Sequence, residues 1–176
     1  PVNHRVRDHG ADATFVAPDG DGYIDPDEIR KAIRPNTSLV IVNHGSNVTG
    51  VVQDIKAIGA VCREADVPLA LDTAQTAGVL PIDMHECNVS FLTFTGHKGL
   101  FAPTGTGGVC VADDAELRGT IAGGTGVRSA DLYHLTDYPY RIEAGTQNLA
   151  GIAGLSAGID WIQQKGIESI YAHEMA

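Results

Sequence analysis

Short runs of apolar residues, each ending at polar or turn-forming residues, predict four buried β-strands along the chain. They cover residues 38–43, 68–72, 90–95 and 107–112, and a shorter run at 13–17 predicts a fifth strand. Continuous apolar runs are typical of parallel strands that are buried on both faces, whereas alternating runs are typical of half-exposed strands. The pattern therefore predicts a mostly parallel sheet.

Three further segments have the spacing of amphipathic helices. Residues 27–33 follow Asp25 and a proline, which are typical of an N-cap and a first turn. Residues 55–65 follow Asp54, a second N-cap, and repeat apolar side chains at spacings of three and four. Residues 148–164 add many small residues, which permit close packing. Alternating strands and helices predict one α/β domain in which helices cover both faces of the sheet, as a three-layer α/β/α fold.

Composition and charge narrow the classes of function. The chain has 176 residues, of which 43% are hydrophobic, so it can bury a core of its own. It contains 12 Lys and Arg against 22 Asp and Glu, and the net charge of −10 disfavours binding to nucleic acid. No apolar run has the length that crosses a membrane. Its three cysteines form no CxxC pair, which favours reduced thiols and a cytoplasmic location.

Polar and ionisable residues follow three of the predicted strands. They occupy residues 43–50, 72–75 and 95–99. Because ligands of open parallel sheets bind outside the carboxyl ends of the strands, these segments are expected to converge on one site.

Lys98 and Asp72 are the most informative residues in these segments. Lys98 lies between glycines in a tight turn, where an amine can lose hydration and act as a nucleophile; alternatively it is a solvated loop lysine. Asp72 ends its apolar run, where it either faces a pocket or caps the following segment. An amine and a carboxylate on successive strand ends are what a pyridoxal phosphate site requires, because lysine forms the Schiff base and aspartate pairs with the pyridine nitrogen.

Five motifs, in this order along the chain, make a family resemblance specific. They are HGSNVTG (44–50), LALDTAQTAG (69–78), FLTFTGHKGLFAPTGTGG (91–108), GGTG (123–126) and RIEAGTQN (141–148). Together they resemble the class V aminotransferase superfamily of fold type I pyridoxal-phosphate enzymes, and within it the cysteine desulfurase and selenocysteine lyase branch.

The resemblance implies a role for each matching residue. Lys98 would bind pyridoxal 5'-phosphate covalently and Asp72 would pair with its pyridine nitrogen. The remaining cofactor contacts would come from residues facing the ring, the phenolic oxygen or the phosphate: Asn47, Gln75, Thr95, His97 and Thr125. Of these, Thr125 would reach the phosphate in the neighbouring subunit of a homodimer.

The implied reaction is the conversion of L-cysteine to L-alanine with transfer of sulfur to a protein cysteine, and a sulfur-acceptor protein would be a partner. Residues 1–165 would form the central part of the large cofactor-binding domain. Residues 166–176 would begin the connection to a small C-terminal domain. The attacking cysteine and the carboxylate-binding arginine would lie beyond this chain, so that the chain alone is expected to be truncated and inactive.

Several alternatives stay open. Another class V aminotransferase or a selenocysteine lyase would share these motifs, and a cofactor-free interaction scaffold is an alternative of another class. Residues 17–28 imitate a calcium-binding loop, although a turn and a capped helix explain them as well. The histidines lack zinc-ligand spacing. Arg141 and Glu143 are expected to form an ion pair, and Cys62 and Cys110 to pack in the core.

Overall fold

A computed structural model of the chain describes residues 2–128 and 130–176. The elements occur in the order α1 (Val2–His9), α2 (Pro26–Ala32), β1 (Val40–Asn43), α3 (Ile55–Glu64), β2 (Leu69–Asp72), β3 (Phe91–Thr95), β4 (Gly107–Val111), a short 3-10 helix (Tyr140–Ile142), α4 (Leu149–Lys165) and α5 (Ile167–Glu174).

The strands form one sheet in the order β1-β2-β3-β4. The first three strands are parallel, and β4 runs antiparallel to β3. The four main runs predicted as strands each form one, slightly shorter than predicted. The predicted α/β fold with a mostly parallel sheet is therefore confirmed.

The fifth predicted strand, at residues 13–17, is wrong. This segment has no regular secondary structure, and its largest apolar side chain, Phe15, is 71% exposed. A strand in this sheet needs a buried face against the helices, and within this run only Val16 packs, half-buried, against the core.

The hydrophobic core lies between one face of the sheet and helices α2 and α3. Its buried residues come from these helices, from β1 and β2 and from the segment just before β3, and they are Ile29, Val42, Ile55, Ile58, Val61, Cys62, Leu69, Leu71 and Val89. On the opposite face, Ile41 of the edge strand β1 is 56% exposed. The well-packed face is therefore the one that fixes the positions of β1 and β2.

Side-chain caps begin the three helices predicted from sequence. Asp25 accepts a hydrogen bond from the backbone N–H of Asp27 at α2, and Asp54 accepts one from Ala57 at α3. Asn148 caps α4 in the same way. These bonds satisfy N–H groups that have no partner inside a helix, so the predicted starts agree closely with the observed ones.

Helix α4 packs closely on the chain that follows β3. A β-carbon added at Gly154 would lie 2.6 Å from Cδ of Pro103, and one at Gly151 would lie 2.7 Å from Cγ2 of Thr106. Phe101 also packs edge-on against Trp161, with ring centroids 5.0 Å apart. The small residues of α4 therefore do permit the close approach that the sequence predicts.

Helices α1 and α5 are not predicted from the sequence pattern. Helix α1 has no buried residue, and α5 has only Ile170. Within residues 2–128 and 130–176, no helix combines the length and the apolar character that crossing a bilayer requires.

Candidate active site

The C-terminal edge of the sheet brings polar residues of three strands into one row. The register pairs Asn43 of β1 with Asp72 of β2, and Asp72 with Thr93 of β3. All three are exposed, whereas the preceding Val42 and Leu71 are buried on the core face. Residues in register on parallel strands share a face, so these polar groups lie together on the face opposite the core.

Lys98 lies in a tight turn directly after β3, residues 96–102, which we call the β3 turn. The N–H of Gly96 donates to the carbonyl of Thr106 at 2.9 Å, and the carbonyl of Gly96 accepts from the N–H of Ala102 at 2.8 Å. The carbonyl of Lys98 itself accepts from Phe101 at 2.9 Å. The Lys98 side chain is exposed and forms no ion pair within the part of the chain that is described. Its backbone is fixed and its amine is accessible.

The β3 turn contacts the segment after β2, residues 73–80, which we call the β2 turn. A β-carbon added at Gly99 would lie 2.5 Å from the carbonyl oxygen of Ala77 and 2.8 Å from Cγ2 of Val79. These separations leave no room for a side chain at position 99. The turns that follow β2 and β3 therefore touch, and the residues that they carry belong to one edge of the molecule.

Of the two roles that the sequence leaves open for Asp72, the structure shows the cap. Oδ1 of Asp72 accepts a hydrogen bond from the N–H of Ala74 at 2.9 Å and so caps the β2 turn. Thr73 ties the same turn to β3, because its N–H and its hydroxyl both donate to the carbonyl of Thr93, at 2.9 and 2.8 Å. Among the described residues, Oδ2 of Asp72 has no hydrogen-bond partner. One carboxylate oxygen is thus free for a ligand.

Asn47 and Gln75 lie on adjacent segments at this edge. Asn47 is exposed in a turn that the N–H of Gly50 closes by donating to the carbonyl of Ser46 at 3.1 Å. Gln75 is half-buried, and its Cβ is 3.5 Å from the position of a β-carbon added at Gly45. The loop after β1 and the β2 turn are therefore in contact as well.

Thr95 and His97 form a hydrogen-bonded pair on either side of Gly96. Oγ1 of Thr95 is 2.8 Å from Nδ1 of His97. His97 is exposed, so the pair presents a hydroxyl and an imidazole to solvent beside Lys98. Both groups can bind a phosphate oxygen.

Thr125 lies in a separate loop. Its hydroxyl donates to the carbonyl of Val127 at 3.0 Å, and no hydrogen bond joins it to the strand ends within residues 2–128 and 130–176. The N–H of Gly145 donates to the carbonyl of Gly124 at 2.6 Å, so this loop runs beside the RIEAGTQN motif. The role that the resemblance gives to Thr125 requires a second subunit and stays a prediction.

His44 and Thr76 form a buried pair behind the exposed site residues. Nδ1 of His44 is 2.8 Å from Oγ1 of Thr76, and the two residues are 4% exposed each. Burial lowers the pKa of His44, so its ring is neutral at pH 7. The sequence places His44 at a strand end but gives no sign of its partner 32 positions away.

The cysteines divide between the core and the surface. Cys62 is 1% exposed in α3, as predicted, and burial raises the pKa of its thiol to about 11. The prediction that Cys110 packs in the core is wrong, because it lies in β4 but is exposed. Strand β4 pairs with β3 on one side and is the last strand of the sheet, which leaves this position open to solvent.

Two further expectations have clear outcomes. Arg141 forms an ion pair with Glu116 at 3.2 Å, so the predicted pairing with Glu143 is wrong. In the calcium-like loop, Oδ1 of Asp19 accepts from the N–H groups of Asp21 and Tyr23 at 3.0 and 2.8 Å. This carboxylate therefore closes a turn. Within the stretches that the structure describes, no three or more His, Cys, Asp or Glu side chains are grouped so that they could hold a metal ion.

A cavity in the loop that precedes the 3-10 helix does not coincide with the strand ends. It has a volume of about 470 Å³ and is lined by Arg128 and residues 130–136. The site at the edge of the sheet is an open surface formed by three loops. Its chemistry, and not its concavity, identifies it.

Comparisons with known proteins agree with the motifs. A family model described as "Aminotransferase class-V" matches residues 1–176. The chain is 39% identical to a probable cysteine desulfurase of Methanothermobacter thermautotrophicus, with 97% of this chain and 44% of the relative covered.

Solved structures give the same result. The fold matches the cysteine desulfurase CsdA of Escherichia coli with a TM-score of 0.84 at 27% identity, covering 93% of this chain and 42% of that one. It also matches SspA in complex with cysteine, with a TM-score of 0.78 at 31% identity, covering 90% of this chain and 43% of that one. This chain spans less than half the length of these proteins. The chain belongs to the class V aminotransferase family.

Proposed function

We propose that the chain is the central part of the large domain of a pyridoxal-phosphate-dependent cysteine desulfurase. One observation supports this most strongly. Asp72 is the last residue of β2 and Lys98 follows the adjacent parallel strand β3, and the turns after those strands touch. Ligand sites of parallel sheets occur at this edge.

The residues at this edge fit the chemical groups of the cofactor. A carboxylate oxygen of Asp72 is free of protein partners among the described residues and can pair with a protonated pyridine nitrogen. The accessible amine of Lys98 can bind the aldehyde carbon covalently. Thr95 and His97 supply a hydroxyl and an imidazole for the phosphate. The set contains one group of the right type for each of these three parts of the cofactor.

The other residues would contact the ring, its phenolic oxygen or the phosphate. Asn47 and Gln75 would contact the ring and its phenolic oxygen from the loop after β1 and from the β2 turn. Thr125 would donate to the phosphate bound in a second copy of the chain, in a homodimer. When bound, the cofactor accepts electrons from the substrate carbon next to the amino group. Lys98, once released by the substrate, would carry the proton between substrate atoms.

The substrate proposal rests on the relatives. They are described as cysteine desulfurases, and the SspA structure contains cysteine. We propose that L-cysteine is converted to L-alanine while its sulfur passes to a cysteine of the protein, forming a persulfide. Cys62 is not suited to this attack, because its buried thiol has a pKa of about 11 and a thiolate is the nucleophile.

The proposal also covers the C-terminal segment, a protein partner and the cellular location. Residues 166–176 would begin the connection to a small C-terminal domain, and a sulfur-acceptor protein would be a partner. A cytoplasmic location fits the three cysteines, which are free thiols. A different class V activity or a selenocysteine lyase would use the same cofactor residues and differ in those that contact the substrate.

The test measures cofactor binding and reaction products in the complete protein that contains this chain. Asp72→Asn keeps the shape of the side chain but loses its charge, and we expect the dissociation constant for pyridoxal phosphate to rise about tenfold or more. Asp114→Asn, at an exposed position in the loop after β4, is the matched control and should bind as the wild type does.

The products separate the alternatives. Sulfide and alanine formed from L-cysteine with a reductant support desulfuration, whereas a keto acid formed from the substrate would support transamination. A wild-type protein that binds no pyridoxal phosphate would contradict both and would support the interaction scaffold.

A further inference from the structure

We propose that His44 and Thr76 are a positioning pair, which holds the loop carrying Asn47 and the β2 turn carrying Gln75 in the relative arrangement that the cofactor requires. This inference rests on the proposed function. Neither residue is assigned a contact with the cofactor; both act through their neighbours.

The pair lies where two of the site's three loops meet. His44 directly follows β1, and its backbone N–H donates to the carbonyl of Asp72 at 2.9 Å. Its own carbonyl accepts from the N–H of Gln53 at 2.9 Å. The backbone of His44 is therefore bonded on both sides, and only its side chain reaches across to the β2 turn.

Thr76 is the centre of the β2 turn. Its N–H donates to the carbonyl of Thr73 at 2.9 Å, and its carbonyl accepts from Val79 and Leu80 at 3.0 and 2.9 Å. A force that moves Thr76 therefore moves the whole turn. Gln75 is the preceding residue, so its backbone follows Thr76.

The loop after β1 and the β2 turn are in contact around the pair, so the distance between them depends on the side chains that join them. A β-carbon at Gly45 would lie 2.7 Å from Cγ2 of Thr76. Thr73 ties the start of the β2 turn to β3, and the His44 bond ties its middle to β1. With both hydrogen bonds the β2 turn is fixed to β1 and β3. Without the bond from His44 to Thr76, the turn can shift away from the loop that carries Asn47.

The hydrogen bond is worth more here than at the surface. Both side chains are buried, so loss of one partner leaves the other without water to replace it. The neutral imidazole retains one donor and one acceptor nitrogen, so Nδ1 can bond the threonine hydroxyl in either tautomer.

Four substitutions in the complete protein test the pair. His44→Asn places an amide near the position of Nδ1 and retains a partner for Thr76, whereas His44→Gln places it near Nε2 and loses that partner. Thr76→Ser retains the hydroxyl, and Thr76→Val removes it with little change of shape. We expect His44→Gln and Thr76→Val each to raise the dissociation constant for pyridoxal phosphate about tenfold, and His44→Asn and Thr76→Ser about threefold or less.

Two further measurements separate positioning from general stability. Ile58→Val removes one buried methyl group from the core and controls for a small loss of stability. We expect it to leave cofactor affinity unchanged. The double variant His44→Gln/Thr76→Val should bind no more weakly than either single variant, because both remove the same bond.

The result that overturns the inference is equal cofactor affinity for His44→Gln, His44→Asn and Ile58→Val. A readout without cofactor distinguishes failure of the inference from failure of the proposed function. In His44→Gln, amide hydrogen exchange at Ala77 and Leu80, whose N–H groups bond within the β2 turn, should accelerate about tenfold. A wild-type protein that binds no cofactor overturns the proposed function, and unchanged exchange overturns the positioning role independently.

Discussion

Substitution of Gly99 by alanine tests whether the β2 and β3 turns are in contact. The added β-carbon would lie 2.5 Å from the carbonyl oxygen of Ala77 and 2.8 Å from Cγ2 of Val79. The oxygen belongs to the backbone and cannot rotate away, so one turn has to move. Overpacking of this kind costs about 1–3 kcal/mol.

The cost is measurable as a shift of the melting temperature. For a domain of this size, a loss of about 2 kcal/mol lowers the melting temperature by roughly 6 °C. Gly20→Ala is the matched control, because a β-carbon there meets no atom within 4 Å. The control should be neutral or slightly stabilising, since alanine reduces the freedom of the unfolded chain.

The assay is thermal unfolding of both variants beside the wild type, followed by titration with pyridoxal phosphate. Gly99→Ala should melt at the lower temperature and bind the cofactor more weakly, because the turn that carries Lys98 is displaced. If Gly99→Ala has the same melting temperature as Gly20→Ala and the wild type, the two turns are not in contact. The shared site of Asp72 and Lys98 then loses its structural basis.

Three further predictions concern stability. Leu71→Ala, at a fully buried position in β2, should lower the free energy of unfolding by about 2–5 kcal/mol. Ile41→Ala, on a side chain that is 56% exposed, should lower it by less than about 1 kcal/mol. Equal losses of the two variants in denaturant unfolding would contradict the assigned core face. Asp54→Ala removes the hydrogen bond to the N–H of Ala57 at 3.0 Å and should cost about 1 kcal/mol in the same assay, and no loss would show that the cap is not formed. Burial raises the pKa of the Cys62 thiol to about 11 in the folded chain, against an ordinary value of 9.0, so the unfolded chain releases this proton at lower pH. The free energy of unfolding therefore keeps its full value below pH 9 and falls by about 2–3 kcal/mol as the pH rises through 11. Unfolding of the wild type and of Cys62→Ala at both pH values measures it, and a parallel dependence in the two would refute it.

Local chemistry made much of the fold and of the candidate site predictable. The caps Asp25 and Asp54 lie next to the helices that they begin, so the sequence contains both partners of each bond within three residues. The strands of the core are continuous apolar runs, and the rule for ligand sites in parallel sheets then locates Asp72 and Lys98 at one edge. These inferences need no knowledge of distant contacts.

Contacts between distant residues could not be predicted in the same way. The direction of β4 depends on its pairing with β3, and its apolar run is compatible with either direction. Arg141 has acidic residues available in several segments, and only the folded chain shows that it pairs with Glu116, 25 positions earlier. The bond between His44 and Thr76 joins two strands' ends and has no local signature.

The exposure of Cys110 and of residues 13–17 has a related cause. Cys110 lies in an apolar run, which predicts burial, yet its strand is the last of the sheet. The run at residues 13–17 has strand-like composition, but Phe15 is 71% exposed and only Val16 of the run packs against the core. An apolar composition makes a segment suitable for burial, whereas its actual burial depends on which other elements pack against it.

The measurement that tests the central claim most directly is the location of covalently bound cofactor in the complete protein. Borohydride reduction of the protein in the presence of pyridoxal phosphate, followed by peptide mass mapping, identifies the lysine that is linked to the cofactor. We predict that the pyridoxyl group is on Lys98 and that Lys98→Ala abolishes the labelling, while Lys56→Ala, a surface lysine in α3 that is 71% exposed, does not affect it. Labelling of another lysine in the wild type, with Lys98 unmodified, would contradict the proposed site.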